Sequence, residues 1–197
     1  YVAQTQEQLT AKINNNEYLS RGDIDHTLAL STLVVFRTAQ TGQFIALKSY
    51  DHDGYATCAE FDLYSDSPEM PCIYSKLVIN EIADNTWTPY KINRSGWTAS
   101  ANSEKSPNGN DGPASYMIDG NTNTMWHSFY GTGGHNDRPS SSDPFIATIN
   151  LGKETTFRAF TYMPRQVGDP NGRFRHYEFY VAQTQEQLTA KINNNEY

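Results

Sequence analysis

The sequence predicts an all-β protein, an antiparallel β-sandwich, and three observations lead there. Six segments alternate apolar and polar residues with the period of a strand. Gly, Pro and Asn punctuate them, and aromatics reach 13% while charged residues stop at 19%, without the Lys/Glu richness of long helices. The third observation is a repetition. Tyr1 to Tyr18 and Tyr180 to Tyr197 both read YVAQTQEQLTAKINNNEY, so the chain has a period of 179 (180 − 1). That length suits one β domain plus a connecting segment, and it can bury roughly 70% of the unfolded chain's surface.

The repetition predicts that the chain reads as a circle. It is either a window cut from tandem copies or a circularly permuted domain with an overlap, which folds tolerate when their termini lie together at the surface. Residues 1–65 are then the C-terminal half of a domain, 66–88 a connecting segment, and 89–197 the N-terminal half, with 180–197 duplicating 1–18. The missing initiator Met and leader predict a fragment of a longer protein.

The elements follow in circular order. PFIATINLG places Phe145, Ala147, Ile149 and Leu151 on one strand face, closed by a Leu-Gly turn. TFRAFTYMPR (156–165) and HYEFYVAQ (176–183) are the next strands, followed by STLVVFRT (31–38), QFIALKSY (43–50) and CAEFDLY (58–64). Thr5 to Gln8 forms a T-x-x-Q capping box with Leu9 and Ile13 one turn apart, which predicts a short surface helix or turn. Residues 65–87 read as a joint leading into an extra strand, KLVINEIA. Residues 101–113 and 131–143 are long polar loops, of the kind that carry binding sites on a rigid β scaffold or are simply solvated.

Charge removes several function classes. A net charge of −7 and a pI near 5.1 offer no basic surface, which excludes nucleic acid and argues against anionic membranes. No apolar run has the length of a membrane-spanning helix; the best, 28–36, is short and broken by Ser31 and Thr32. Cys58 and Cys72 form one disulfide or remain two buried thiols. Arg21-Gly22-Asp23 spells an integrin tripeptide, a match frequent by chance, and Asn93-Arg94-Ser95 a glycosylation sequon, meaningful only in a eukaryotic secretory host. His26 and His52 lie near acids, but no nucleophile, metalloprotease or paired-carboxylate motif accompanies them, so no enzyme is expected.

Four anchors carry a family resemblance: SGWTASANSE, ASYMIDGNTNTMWHS, FIATINLGKETTFRAFTYMPRQ…NGRFRHYEFYVAQ, and TGQFIALKS…GYATCAEFDLY. Read in circular order, they resemble the discoidin, or coagulation factor 5/8 type C, family, and most closely its family 32 carbohydrate-binding modules. The resemblance implies a jelly roll of the galactose-binding-domain type whose first and last strands lie side by side.

It also implies two sites. In IDGNTNT, Asp119, Asn121 and Thr124 fall at positions zero, two and five, a spacing that wraps oxygen ligands around a hard cation wanting six to eight of them. The family completes this calcium site with main-chain oxygens and an Ala-Glu pair, here Tyr116, Ala59 and Glu60. An Asp-Gly turn without a metal gives the same letters. The second site is for a terminal galactose or N-acetylgalactosamine, which needs an aromatic platform and a few fixed donors and acceptors. The resemblance assigns His127 to the axial hydroxyl, Arg165 as a donor fork and Asn171 beside it, with Tyr130 and Tyr55 as platforms. Trp126 and Trp97 read as core and strand anchor.

The expected function is therefore a non-catalytic, secreted or cell-surface carbohydrate-binding module with structural calcium and glycan partners. The alternative is an adhesive extracellular repeat that assembles head to tail through its duplicated ends. Phospholipid binding, known elsewhere in the family, is disfavoured by the acidic pI.

Overall fold

A computed structural model of the chain describes residues 2–3, 21–24, 26–27, 29–50, 53–66, 89–131 and 143–196. Among these residues eleven strands are assigned: β1 (Val2–Ala3), β2 (Arg21–Asp23), β3 (Thr32–Tyr50), β4 (Thr57–Cys58), β5 (Glu60–Asp66), β6 (Pro89–Lys91), β7 (Thr98–Ala101), β8 (Asp111–Gly112), β9 (Met125–His127), β10 (Phe145–Met163) and β11 (His176–Ala182). A 3₁₀ turn covers Ala114–Ile118, and one helix, α1, covers Gln185–Asn194.

Four of the six predicted strands prove to be two. β3 and β10 are each 19 residues long and pair antiparallel along most of their length. The expected Leu-Gly turn lies inside β10. Gly152 adopts φ +76, which a side chain resists, and its N–H is held by the Asn150 side chain at 2.8 Å. The register shifts there and again between Phe157 and Ala159, so the glycine makes an irregularity and not a hairpin.

The ribbon folds over at this irregularity. The first half of β10 lies between β7 and the second half of β3, which continues to β11 and β2. The second half of β10 lies between β5 and the first half of β3, with β6 and β1 at the margins. Rings from the two layers meet: Phe160 of β10 stacks on Phe179 of β11 at 4.6 Å and on Phe61 of β5 at 5.6 Å, and Phe36 packs against both Phe160 and Phe179. This is the expected antiparallel sandwich, and its core is largely aromatic. Trp126 and Trp97 are buried in it, as their sequence context predicts.

A small sheet of β4, β9 and β8 closes one end. Tyr162 fixes it to the sandwich: its buried hydroxyl donates to Thr57 O at 3.0 Å and accepts from Phe174 N–H at 3.0 Å, while its ring stacks on Phe174. Trp126 donates from Nε1 to Ser103 O at 3.0 Å, binding the loop after β7 to the same end. The two ends of β10 and the loops around 102–113, 128–131 and 164–173 therefore gather there, opposite the Gly152 irregularity.

The second copy of the duplicated segment forms the end of β11 and α1. Thr184 caps the helix by accepting from Gln187 N–H at 3.2 Å, and Asn195 ends it in the left-handed conformation at φ 54. Leu188 packs on Ala46, Tyr180 and Ala182. This is the helix that the T-x-x-Q box predicts; its first copy, Thr5 to Gln8, lies outside the described residues, as does the joint of residues 65–87 beyond Asp66, where β5 ends. Identical residues take different places. Val2 pairs with Val34, whereas Val181 pairs with Ile45 of the same strand. The Arg21–Asp23 tripeptide is a strand paired with β11, and Asp23 is bound to the His176 ring. Cys58 is a buried free thiol that burial pushes up in pKa, and Cys72 lies outside the described residues.

Replacing Tyr162 with Phe should cost about 2–3 kcal/mol, because a buried carbonyl and a buried amide each lose a partner. Urea denaturation measures this, and a loss below about 0.5 kcal/mol would remove Tyr162 as the tie between the end sheet and the sandwich.

Candidate functional site

The closed end collects the sugar-site candidates from three separated stretches. His127 ends β9, is nearly fully buried, and points its ring edge-on at Tyr130 (4.8 Å between centroids) and Tyr55 (5.7 Å). Tyr55 and Tyr130 are half-buried. Arg165 and Asn171 sit in the turn between β10 and β11 and bond each other, Nη1 donating to Asn171 Oδ1 at 2.8 Å. Arg165 Nε donates to Val167 O at 2.7 Å, so the guanidinium is fixed on two sides. A β-carbon on Gly168 would come within 2.9 Å of Arg165 Nη2, and its φ of +74 already favours glycine.

The ring tautomer of His127 follows from its neighbour. Nδ1 lies 2.7 Å from Ser128 O and must donate to it, which leaves Nε2 as an acceptor in the neutral ring. Burial lowers the His127 pKa, opposed by the Ser128 carbonyl and by Asp111, while Arg165 assists the lowering. The imidazole is thus a neutral hydrogen-bond acceptor. Tyr130 keeps its proton because burial and Asp111 both raise its pKa, and it donates to Asp111 Oδ2 at 2.8 Å. The Lys105 ammonium lies 4.4 Å from the Tyr130 ring centroid and donates to Tyr130 O at 3.2 Å. Phe129, beside it, is the exposed ring at 41%.

The cation-site candidates gather on a neighbouring loop. Thr124 Oγ1 donates to Asp119 Oδ2 at 2.7 Å, and Asp119 Oδ1 accepts from Asn121 N–H at 2.8 Å, so positions zero, two and five already face one another. Tyr116 lies in the preceding 3₁₀ turn, and Ala59 joins β4 to β5, where Glu60 begins. Glu60 is buried and ion-paired through Oε2 with Arg94 Nη1, and it lies against the Asp119 carboxyl. Burial raises its pKa against the pull of Arg94, and the adjoining Asp119 carboxyl raises it further. No group of three His, Cys, Asp or Glu side chains suited to a metal occurs among the described residues. Two carboxylates, a hydroxyl, an amide and main-chain oxygens are what this place offers a cation.

Residues 98–195, from the start of β7 to the cap of α1, match the F5/8 type C domain. The chain carries an F5/8 type C, or discoidin, domain. The curled antiparallel sandwich is the jelly roll of that family. F5/8 type C domains are carbohydrate-binding folds found in extracellular proteins, and no helix among the described residues is long and apolar enough to cross a membrane. Two galactose oxidase sequences of Gibberella zeae are each 33% identical over 91 residues, which is 46% of this chain. The A type blood N-acetyl-alpha-D-galactosamine deacetylase of Flavonifractor plautii is 34% identical over 100 residues, 51% of this chain. The chain spans only 12% of the length of each of these relatives.

Sequence reasoning about this F5/8 type C domain placed His127, Arg165, Asn171, Tyr130 and Tyr55, and the structure brings all five to one end. It missed Asp111, Lys105 and Arg94. Asp111 and Lys105 sit in a polar loop whose letters look merely solvated, and only the fold turns them towards Tyr130. Arg94 stood inside a glycosylation sequon, but its side chain bridges Glu60 and Asp62.

Because His127 is held neutral, its contribution to stability is complete above its unfolded pKa of about 6.5 and is lost as pH falls through the lowered folded value. Urea midpoints at neutral pH and at about pH 5 should therefore differ more for the wild type than for His127→Gln. Equal acid losses in both would show that His127 does not titrate with unfolding.

Proposed function

We propose that this domain is a non-catalytic binding module for terminal galactose or N-acetylgalactosamine on extracellular glycans. The observation that carries the reading is the convergence of a neutral acceptor, His127 Nε2, with a fixed donor fork, Arg165, and its partner Asn171 at one end of the sandwich. Galactose differs from glucose by one axial hydroxyl, so a site reads it with a group fixed to meet that hydroxyl. Burial and the Ser128 bond fix His127 in the accepting tautomer for that role. Arg165 supplies the donors and Asn171 Nδ2 a further one, while Tyr55, Tyr130 and the exposed Phe129 offer apolar faces to the sugar's C–H surface. The similar proteins, a galactose oxidase and an N-acetyl-alpha-D-galactosamine deacetylase, support a galactose-type ligand.

The same reading includes structural calcium. Glu60, a buried carboxylate set against the Asp119 carboxyl, fits a cation, and Asp119, Asn121, Thr124, Glu60 and the main-chain oxygens of Tyr116 and Ala59 would hold it. A calcium ion there supplies charge neutralisation between two carboxyl groups and ties the 116–124 loop to β5. The partner is then a glycan of a cell surface or polysaccharide, and the place of action is outside the cell.

A second reading, the adhesive repeat, is favoured by the pairing of β1 on β3, since a short duplicated segment can add to a foreign sheet. A mass that stays monomeric at every concentration in size-exclusion chromatography removes it.

His127→Ala and Arg165→Ala should each weaken galactose binding by about tenfold or more in isothermal titration at a temperature where melts show each variant still folded. Wild-type affinity in both variants would refute the site. Chelating calcium should lower the melting temperature of the wild type but not of Asp119→Asn, and an identical response in the two would remove the cation from this loop.

A further inference from the structure

Residues 89–94 run beside β5 and bring two cations to a row of acids. Glu60 and Asp62 stand two residues apart on that strand, so their side chains leave the same face. The Arg94 guanidinium spans both. Its Nε donates to Asp62 Oδ1 at 2.6 Å, Nη2 pairs with the same oxygen, and Nη1 pairs with Glu60 Oε2. Lys91 Nζ pairs with Asp62 Oδ2 at 2.8 Å. Both carboxylates are buried, and the Arg94 side chain is only 13% exposed. The backbone that carries Arg94 is fixed on either side, by Ile92 N–H to Leu63 O and by Trp97 N–H to Arg94 O, each at 2.9 Å.

Glu60 therefore stands between two groups of opposite kind, the Arg94 guanidinium and the Asp119 carboxyl. Ionised, Glu60, Asp62 and Asp119 face Lys91 and Arg94, which leaves one negative charge uncompensated. A calcium ion carries two. Without Arg94 the same row would match the ion's charge.

We propose that Arg94 sets the calcium affinity of this domain, as a built-in counter-cation that holds Glu60 when calcium is absent and weakens the ion's grip when it is present. This rests on the calcium reading above and adds to it a positioning residue outside the ligand set. A guanidinium paired with one carboxylate repels a second cation on that carboxylate, and a partly buried place screens the repulsion little. Calcium sites are tuned over a wide range by the charge gathered around the ion. The domain then keeps its fold without calcium and gains only modestly from it.

The test strips the full chain and its Arg94→Gln and Arg94→Lys variants of calcium, then follows thermal melts and isothermal titration with calcium chloride. Calcium-free Arg94→Gln should melt below wild type, because two buried carboxylates lose their partner. It should nevertheless bind calcium about tenfold or more tightly, and its melting temperature should recover further than that of wild type when calcium is added. Arg94→Lys keeps the charge and loses the fork, so its calcium affinity should stay within about threefold of wild type. An Arg94→Gln that binds calcium no better than wild type makes Arg94 a structural brace and overturns the proposal. So does an equal gain in the Gln and Lys variants, which would assign the effect to shape instead of charge. If Arg94→Gln is unfolded without calcium, far-UV circular dichroism follows the same titration: refolding by calcium supports the proposal, and a chain still unfolded at saturating calcium overturns it. These outcomes leave the calcium reading standing wherever the wild type binds the ion. No calcium binding by wild type or by a folded Arg94→Gln overturns that reading and this proposal together.

Discussion

The pairing of β3 with β10 is the constraint on which everything else rests. Each strand is continuous through both layers of the sandwich, so neither layer exists without the other. Folding the ribbon over at Gly152 places Phe160 on Phe179 and buries a mostly aromatic core. It also returns both ends of β10 to one end of the domain. The loops that leave those ends, with the small sheet tied down by Tyr162, are consequently forced together.

That convergence brings loop residues from distant stretches together. His127 is buried beneath two tyrosines, and its neutral accepting form follows from burial and one carbonyl. Arg165 is not free to sweep through solvent, because Val167 and Asn171 hold it. Fixed groups lose little freedom when a ligand arrives, which matters where a shallow site makes only a few hydrogen bonds. The 119–124 loop lies beside the same end sheet, since β9, with Trp126 and His127, follows directly on Thr124. A tie between that loop and β5 would bear on the position of His127.

Much of this was legible in the letters. Alternation in 145–151 and 176–183 marks β strands because one face of each must enter a core, and the burial pattern of β10 repeats it residue by residue. The T-x-x-Q box shows as a helix cap in the second copy because capping is a local matter. The Leu151-Gly152 pair misled for the converse reason. A positive-φ glycine serves a hairpin and a bulge equally well, and only the distant partner, β3, decides between them. Asp111 was hidden in the same way, as its relation to Tyr130 spans a loop and a strand that sequence alone does not bring together. The identical Val2 and Val181 make the point most simply: one set of letters takes two registers on one strand, set by what surrounds it.

The most direct measurement is amide chemical-shift mapping of the ¹⁵N-labelled chain during titration with galactose and, separately, glucose. The two ends of the sandwich are far apart, and a second cavity at the opposite end, near Trp97 and Gly152, provides an internal comparison. The account predicts saturable shifts with galactose around His127, Arg165 and Asn171, weaker ones with glucose, and none around Trp97. Shifts confined to the Trp97 end, or the same response to both sugars, would contradict it.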